Sequence, residues 1–232
     1  QARMSSKRLP GKALLDLSGK SLLKRVIEAS LKIVNIDHLC VATTINTEDD
    51  QIEYIARKLG VDVVRGSEND LIQRAIDACN IYKYESFARI CGDRPFIDPN
   101  IYDELILNHR LSKADVTTNI FPRSVPFGLS AEIVKTKSLK YVNSLTINDS
   151  SREHLTQFFY NNPSDFEIIN LNHKNTFKQS IKVRLVIDNK NDLQKAQWII
   201  QNHKKQNYSL SSKSIIKMAD KWELNYSKKN LN

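Results

Sequence analysis

The densest chemistry in the sequence lies at Gln1–Lys12, which reads QARMSSKRLPGK. Arg3, Arg8 and Lys12 supply cationic donors, and Ser5 and Ser6 supply hydroxyls. Guanidinium forks match phosphate oxygens in two-point contacts, whereas a lysine ammonium is a compact charge suited to a leaving pyrophosphate. Pro10-Gly11 makes a turn that can aim backbone amides at an anion. The segment is not a P-loop, which needs GxxxxGKS or GxxxxGKT at a helix start; here Ala13 follows Lys12. By composition alone, these residues read equally well as an exposed basic terminus.

Two aspartates are candidate metal ligands. Asp93 follows Gly92 at the end of a predicted strand, the edge where α/β sheets place ligands. Asp188 ends the apolar run Lys182–Ile187. Mg2+ takes one or two carboxylates together with waters and substrate phosphates, so this pair suits it. The structural alternatives are a turn before Pro95 for Asp93 and a helix cap for Asp188. Asp98, before Pro99, reads as a cap. Arg65 and Gly66 stand at another strand end, where glycine lets backbone approach a base or ribose, or simply turns the chain toward a helix. Arg123, Glu132, Arg152 and His154 are polar groups in a segment otherwise fitted for packing. An arginine suits a carboxylate and a glutamate can accept hydrogen bonds from hydroxyls. A lone histidine on a helix is more often structural.

The elements that must hold these groups alternate. Helical spacing over Ser21–Val34, Thr47–Leu59, Ser67–Tyr82 and Asn100–Arg110 separates β-rich runs at His38–Thr44, Val61–Val64 and Phe87–Cys91. Ser67 is the expected N-cap of the third helix, with Asp70 in its first turn. This rhythm predicts an α/β fold with a mainly parallel, Rossmann-like sheet flanked by helices. Around residues 119–181 the texture changes. Pro122 and Pro126 exclude a central strand over Asn119–Gly128, and a capping-box pattern at Ser150–Glu153 opens a helix. The expected domain is therefore 1–232, with a small antiparallel insertion near 119–181. Ser130–Val134, Phe166–Leu171 and Lys182–Ile187 are expected strands, and Ser138–Leu145, Asn191–Asn202 and Ser211–Trp222 expected helices. A phosphate-gripping loop normally follows a buried strand, so a short apolar strand is expected upstream of Gln1.

Charge and cysteine usage bound the function classes. The net charge is +9, and all of it arises from Leu171 onward, where 13 Lys+Arg face 4 Asp+Glu. These lysines are diffuse and lack interleaved stacking aromatics, which favours a solvated basic face over a nucleic-acid partner. No apolar run is long enough to insert in a membrane. Cys40, Cys79 and Cys91 form no CxxC pair and read as small core hydrophobes, consistent with a reducing cytoplasm.

Together the motifs resemble the cytidylyltransferases that activate sugar acids and related sugars. They are most similar to the family of the spore-coat polysaccharide biosynthesis protein F, related to CMP-acylneuraminate and CMP-Kdo synthetases. QARMSSKRLPGK is similar to that family's opening signature, and Arg65–Asp70 (RGSEND), Cys91–Pro99 (CGDRPFIDP), Ser151–His154 with Asn162-Pro163, and Val183–Asp188 with Asn191–Leu193 follow in its order. The resemblance implies a GT-A-type fold and transfer of CMP from CTP to a sugar acceptor with loss of pyrophosphate. It implies Mg2+ on Asp93 and Asp188; nucleotide contacts from Arg3, Ser5, Ser6, Arg8, Lys12, Arg65 and Gly66; and catalytic roles for Arg8, Lys12 and both aspartates. It places the sugar near Arg123, Glu132, Arg152 and His154, and implies a homodimer through the insertion. The sequence departs from the pattern at Ser130, commonly Asp; at Arg94, commonly small or neutral; and at Ser21, usually Pro. The first two leave the acceptor open. Readings that stay open are another nucleoside triphosphate, a glycosyltransferase (though no Asp-x-Asp triplet ends the third or fourth strand) and a non-catalytic component of a polysaccharide-synthesis assembly.

Overall fold

The structure, a computed structural model, describes residues 1–145, 152–206 and 211–229. Its strands are β1 (Cys40–Thr44), β2 (Asp62–Gly66), β3 (Ser86–Ala88), β4 (Val116–Thr118), β5 (Glu132–Lys135) and β6 (Ile168–Asn170). The helices in the first half are α1 (Leu22–Ser30), α2 (Asp50–Lys58), α3 (Leu71–Tyr82) and α4 (Pro99–Leu111). Those that follow are α5 (Thr136–Ser144), α6 (Gln157–Asn161), α7 (Lys174–Phe177), α8 (Lys190–Gln206) and α9 (Ser212–Lys229).

The α/β class holds, and the direction of the strands divides by region. β1 and β2 pair in parallel, each followed by a helix, as the alternating rhythm requires. The other sheet has the order β3-β5-β4-β6, in which β5 runs antiparallel to both β3 and β4 while β6 is parallel to β4. The antiparallel strand thus comes from the segment whose texture changes. Lys182–Ile187 is not a strand: only Arg184 bridges, to Phe127. The Phe127 and Leu185 amides donate across this bridge at 3.1 and 2.7 Å, after which the chain turns to bring Asp188 beside Asp93.

Local chemistry fixes the helix starts. Ser21 caps α1, accepting from the Lys24 amide at 3.2 Å, which gives the serine in place of proline a structural use. Leu22, Leu23, Val26 and Ile27 then turn one face inward, at most 4% exposed, each burial worth about 1.5–3 kcal/mol. Asp70, rather than Ser67, caps α3 by accepting from the Gln73 amide at 2.8 Å. Ser67 acts one step earlier, holding the Asp70 amide at 3.1 Å. Asp98 caps α4 at 3.1 Å, as its position before Pro99 predicts. The predicted capping serines Ser150 and Ser151 lie outside the described residues. The main core gathers Leu22, Tyr102, Leu105, Leu129, Ile187 and Ile199, so it joins α1 and α4 to the chain around Asp188.

Candidate active site

Gln1–Lys12 is tied down at both ends. The Gln1 nitrogen donates to the Ile90 carbonyl (2.7 Å), the Gly92 amide to Gln1 (2.8 Å) and the Ala2 amide to Ala42 (3.2 Å), so the segment bridges β1 and the end of β3. Glycine at 92 permits this: an added Cβ would stand 3.0 Å from the Ala2 side chain and the Gln1 carbonyl. Asp49, buried at 2% exposure, accepts from the Met4 amide (2.7 Å), the Thr43 and Thr44 hydroxyls (2.9 and 2.5 Å) and the Thr44 amide (3.0 Å). Burial alone would raise this carboxyl; the hydrogen bonds, led by Thr44, bring it below the usual range. The reading as a loose basic terminus does not survive this anchoring. Gly11 takes the left-handed conformation (φ +67°) that the turn requires. The Gly11 and Lys12 amides, however, donate to the Met4 and Leu9 carbonyls (3.0 and 3.2 Å), so they serve the loop and not an anion.

The loop forms one wall of a cleft of about 350 Å3, lined also by Gly92, Asp93, His154 and Asp188. A larger cavity, about 830 Å3, lies between β1 and β3 behind Leu39, Ala42, Phe87 and Ile90. None of the predicted site residues lines that space, whereas Arg3, Ser6, Arg8, Lys12, Asp93, His154 and Asp188 line the smaller cleft.

At its centre Lys12 Nζ donates to Asp93 Oδ2 (3.0 Å), Asp188 Oδ1 (3.3 Å) and the Ile187 carbonyl (3.1 Å). Arg8 reaches the same Asp188 oxygen at 3.0 Å, and Arg184 pairs with the other. Burial pushes the Asp188 carboxyl up, but Lys12, Arg8 and Arg184 together hold it below its ordinary value. Asp188 is not the cap of α8; Asn189 takes that task, accepting from the Asp192 amide at 2.9 Å, and leaves the carboxylate to the cleft. The Ile187 amide donates to the Asp93 carbonyl at 3.0 Å and fixes the spacing of the two aspartates. Among the described residues no three His, Cys, Asp or Glu side chains form a metal cluster. The donor set still fits Mg2+, because two carboxylates and a carbonyl already surround one cation, the Lys12 ammonium, and Mg2+ draws its remaining ligands from water and phosphate.

The other predicted residues divide. Arg3 lines the cleft and donates to the Glu68 carbonyl and the Glu153 carboxylate, both at 2.9 Å. Ser6 and the exposed His154 also line it, while Ser5 donates to the Glu68 carboxylate. Arg65 faces elsewhere: it binds the Thr44 and Asn46 carbonyls (2.8 and 2.6 Å), Asp50 (2.6 Å) and Glu53 (3.1 Å), bracing the β1–α2 turn. Gly66 makes room for the Arg74 side chain, whose Cγ would lie 3.2 Å from an added Cβ. Arg152 pairs with Asp70 (2.7 Å) and Asn143 (2.9 Å). Arg123 donates to the Ser130 hydroxyl (2.9 Å) and lies 4.0 Å over the Phe127 ring. Glu132 is 1% exposed, with one oxygen taken by Arg89 (2.7 Å) and the other by Tyr160 (2.8 Å). The expected hydrogen bonds from Glu132 to sugar hydroxyls are therefore replaced by bonds within the wall. The two departures at Ser130 and Arg94 meet: Arg94 donates to the Ser130 carbonyl at 2.8 Å.

Sequence reasoning missed Asp49, Arg74, Arg89 and Arg184. Arg74 and Arg89 line the cleft, yet Arg74 sits inside α3 and Arg89 just past β3, each in an apolar stretch with no local motif. Of the cysteines, only Cys79 is fully buried; Cys91 lines the cleft.

The sequence profile of the cytidylyltransferases matches residues 1–215. The chain belongs to the cytidylyltransferase family. Membership makes it a nucleotidyltransferase enzyme. The spore coat polysaccharide biosynthesis protein SpsF of Bacillus subtilis is 31% identical over 87% of this chain and 84% of its own. A solved cytidylyltransferase from Leptospira borgpetersenii superposes with TM-score 0.85 at 30% identity, covering 97% of this chain and 92% of that one. The cytidylyltransferase fold extends to a CMP:2-keto-3-deoxy-manno-octonic acid synthetase complexed with CTP, at TM-score 0.64 and 18% identity over 87% of this chain and 96% of that one.

Proposed function

We propose that this cytidylyltransferase transfers CMP from CTP to a hydroxyl of a sugar or sugar acid, releasing pyrophosphate, for the synthesis of a surface polysaccharide or glycan. The observation that carries the reading is Lys12 held between Asp93 and Asp188 at the foot of a cationic loop. The triphosphate lies along Arg3–Lys12. Its negative charge draws Lys12 away from the carboxylates, and Arg8 and Lys12 then neutralise the leaving pyrophosphate. Asp93 and Asp188, freed of Lys12, would hold Mg2+, which would supply neutralisation of the phosphate charge. The residues' own work is to orient the reactants and to balance the charge that develops as pyrophosphate leaves, which together account for most of the acceleration in phosphoryl transfer.

The acceptor enters on the side of His154, with Arg123 and Arg152 in its surroundings and Glu132 acting through the frame of the wall. Dimerisation through residues 119–181 and a cytoplasmic location belong to the same reading. The test is pyrophosphate release from the purified protein with each nucleoside triphosphate, Mg2+ and a panel of sugars and sugar acids. CTP with one acceptor should give it; tight CTP binding with no pyrophosphate from any pair would overturn the reading.

A further inference from the structure

Among the described residues, the buried side-chain nitrogens that find no hydrogen-bond partner include the Nε atoms of Arg74 and Arg89. Both residues line the cleft. Arg89 has at least the carboxylate of Glu132 at 2.7 Å. Arg74 has far less. It rises from α3 at 2% exposure, and its Nη1 donates to the Ser67 carbonyl at 2.7 Å. Asp49, Glu68 and Asp70 act on it only through space, and Arg3 stands close enough to oppose them. A guanidinium carries five N–H donors. Burying one with donors idle opposes folding, whereas an apolar side chain of similar length would fill the same volume without that cost. Burial, reinforced by Arg3, also pushes the Arg74 guanidinium below its ordinary pKa.

A buried cation with unmet donors in the lining of a cleft matches a ligand that brings its own anion. We propose that Arg74, which shares the cleft lining with Arg89, forms an oxyanion subsite and contacts substrate directly. The shared chemistry is a planar or tetrahedral group of anionic oxygens. It has two sources under the function proposed above, on which this subsite rests: a phosphate of the nucleotide or a carboxylate of the acceptor sugar. Gly66 belongs to the same device, since any side chain there would press on the Arg74 stem.

Two variants of the full chain, Arg74→Met and Arg74→Lys, test it by ligand-free thermal unfolding and by calorimetric titration. The probes are pyrophosphate, CTP with Mg2+, and 2-keto-3-deoxy-manno-octonic acid. Arg74→Met should melt no lower than wild type, because it removes an unmet buried charge. It should lose roughly tenfold or more in affinity for at least one probe, the loss of one charge-assisted hydrogen bond; Arg74→Lys should recover part of that. Weakening of pyrophosphate and CTP assigns the subsite to the nucleotide, and weakening of the sugar acid alone assigns it to the acceptor. If a variant melts lower, titration well below its melting point still decides the matter. Affinities that match wild type for every probe, or a wild type that binds none, overturn the proposal. Failure of the wider reading shows separately, as no pyrophosphate release by wild type, since these titrations involve no turnover.

Discussion

Glu132 and Asp188 are both buried carboxylates, 1% and 8% exposed, yet their surroundings differ. Glu132 has a private partner for each oxygen, Arg89 and Tyr160. Asp188 shares: one of its oxygens serves both Lys12 and Arg8, and Lys12 in turn serves Asp93. A carboxylate whose two oxygens each keep a donor of their own has one arrangement and makes a rigid wall. A network in which one ammonium divides itself between two carboxylates can be rewired if an anion draws that ammonium away, as the proposed function requires. The difference separates the part of the site that frames from the part that exchanges.

The largest effect should come from breaking the frame. Glu132→Ala leaves Arg89 buried without its carboxylate, a loss of about 3–5 kcal/mol when one partner of a buried pair is removed. Urea unfolding checks it, and the Glu132→Leu, Arg89→Met double variant should regain much of the loss. If Glu132→Ala unfolds like wild type, the wall does not depend on the pair. Asp188→Asn or Asp93→Asn acts on the exchanging network instead. Turnover, followed as pyrophosphate, should fall about 100- to 1,000-fold, as when a group that organises transition-state charge is removed. Near-wild-type rates in both would remove the two-carboxylate metal site. Lys12→Ala comes next: a loss of at least tenfold, or about 1.4 kcal/mol of barrier, with the melting temperature changed less than by Glu132→Ala.

The same contrast explains what could be read from sequence. Helical spacing finds α1–α4 because each helix buries one face, and the β-rich runs between them find β1–β3. The order of β5 between β3 and β4 was out of reach, since long-range pairing leaves no local period. Asp93, Asp188, Arg8 and Lys12 stand out because strand ends and a turn expose them as motifs, and the structure brings all four together. Arg74 and Arg89 stand inside apolar patterns, where a lone arginine gives no sign of whether it points to solvent or into a cleft. Arg65 misled for the opposite reason: a strand end beside a glycine looks like a ligand edge, but four acceptors of the β1–α2 turn claim its guanidinium. Asp49 is invisible because its partners, Met4 and Thr43-Thr44, are distant in sequence or belong to another element.

The smallest expected effect near neutrality is that of pH, and its sign follows from the two carboxyls. Both are held below their ordinary values, 4.5 for Glu132 and 3.8 for Asp188, burial being outweighed by Arg89 in one case and by Lys12 with Arg8 and Arg184 in the other. A carboxyl depressed in the folded state stabilises fully above its ordinary pKa, and that stability is lost as pH falls through the folded value. Unfolding free energy should therefore change little between about pH 7 and pH 5 on account of these groups and decline below about 4.5. Glu132→Gln should flatten that acid limb with or without ligand. Asp188→Asn should flatten it in the free protein and, under the proposed metal site, flatten it more with CTP and Mg2+, because a metal-held carboxylate must give up the metal to take a proton. Equal flattening by both variants under both conditions would mean that the two carboxylates are held alike, and that the division into frame and exchange is wrong.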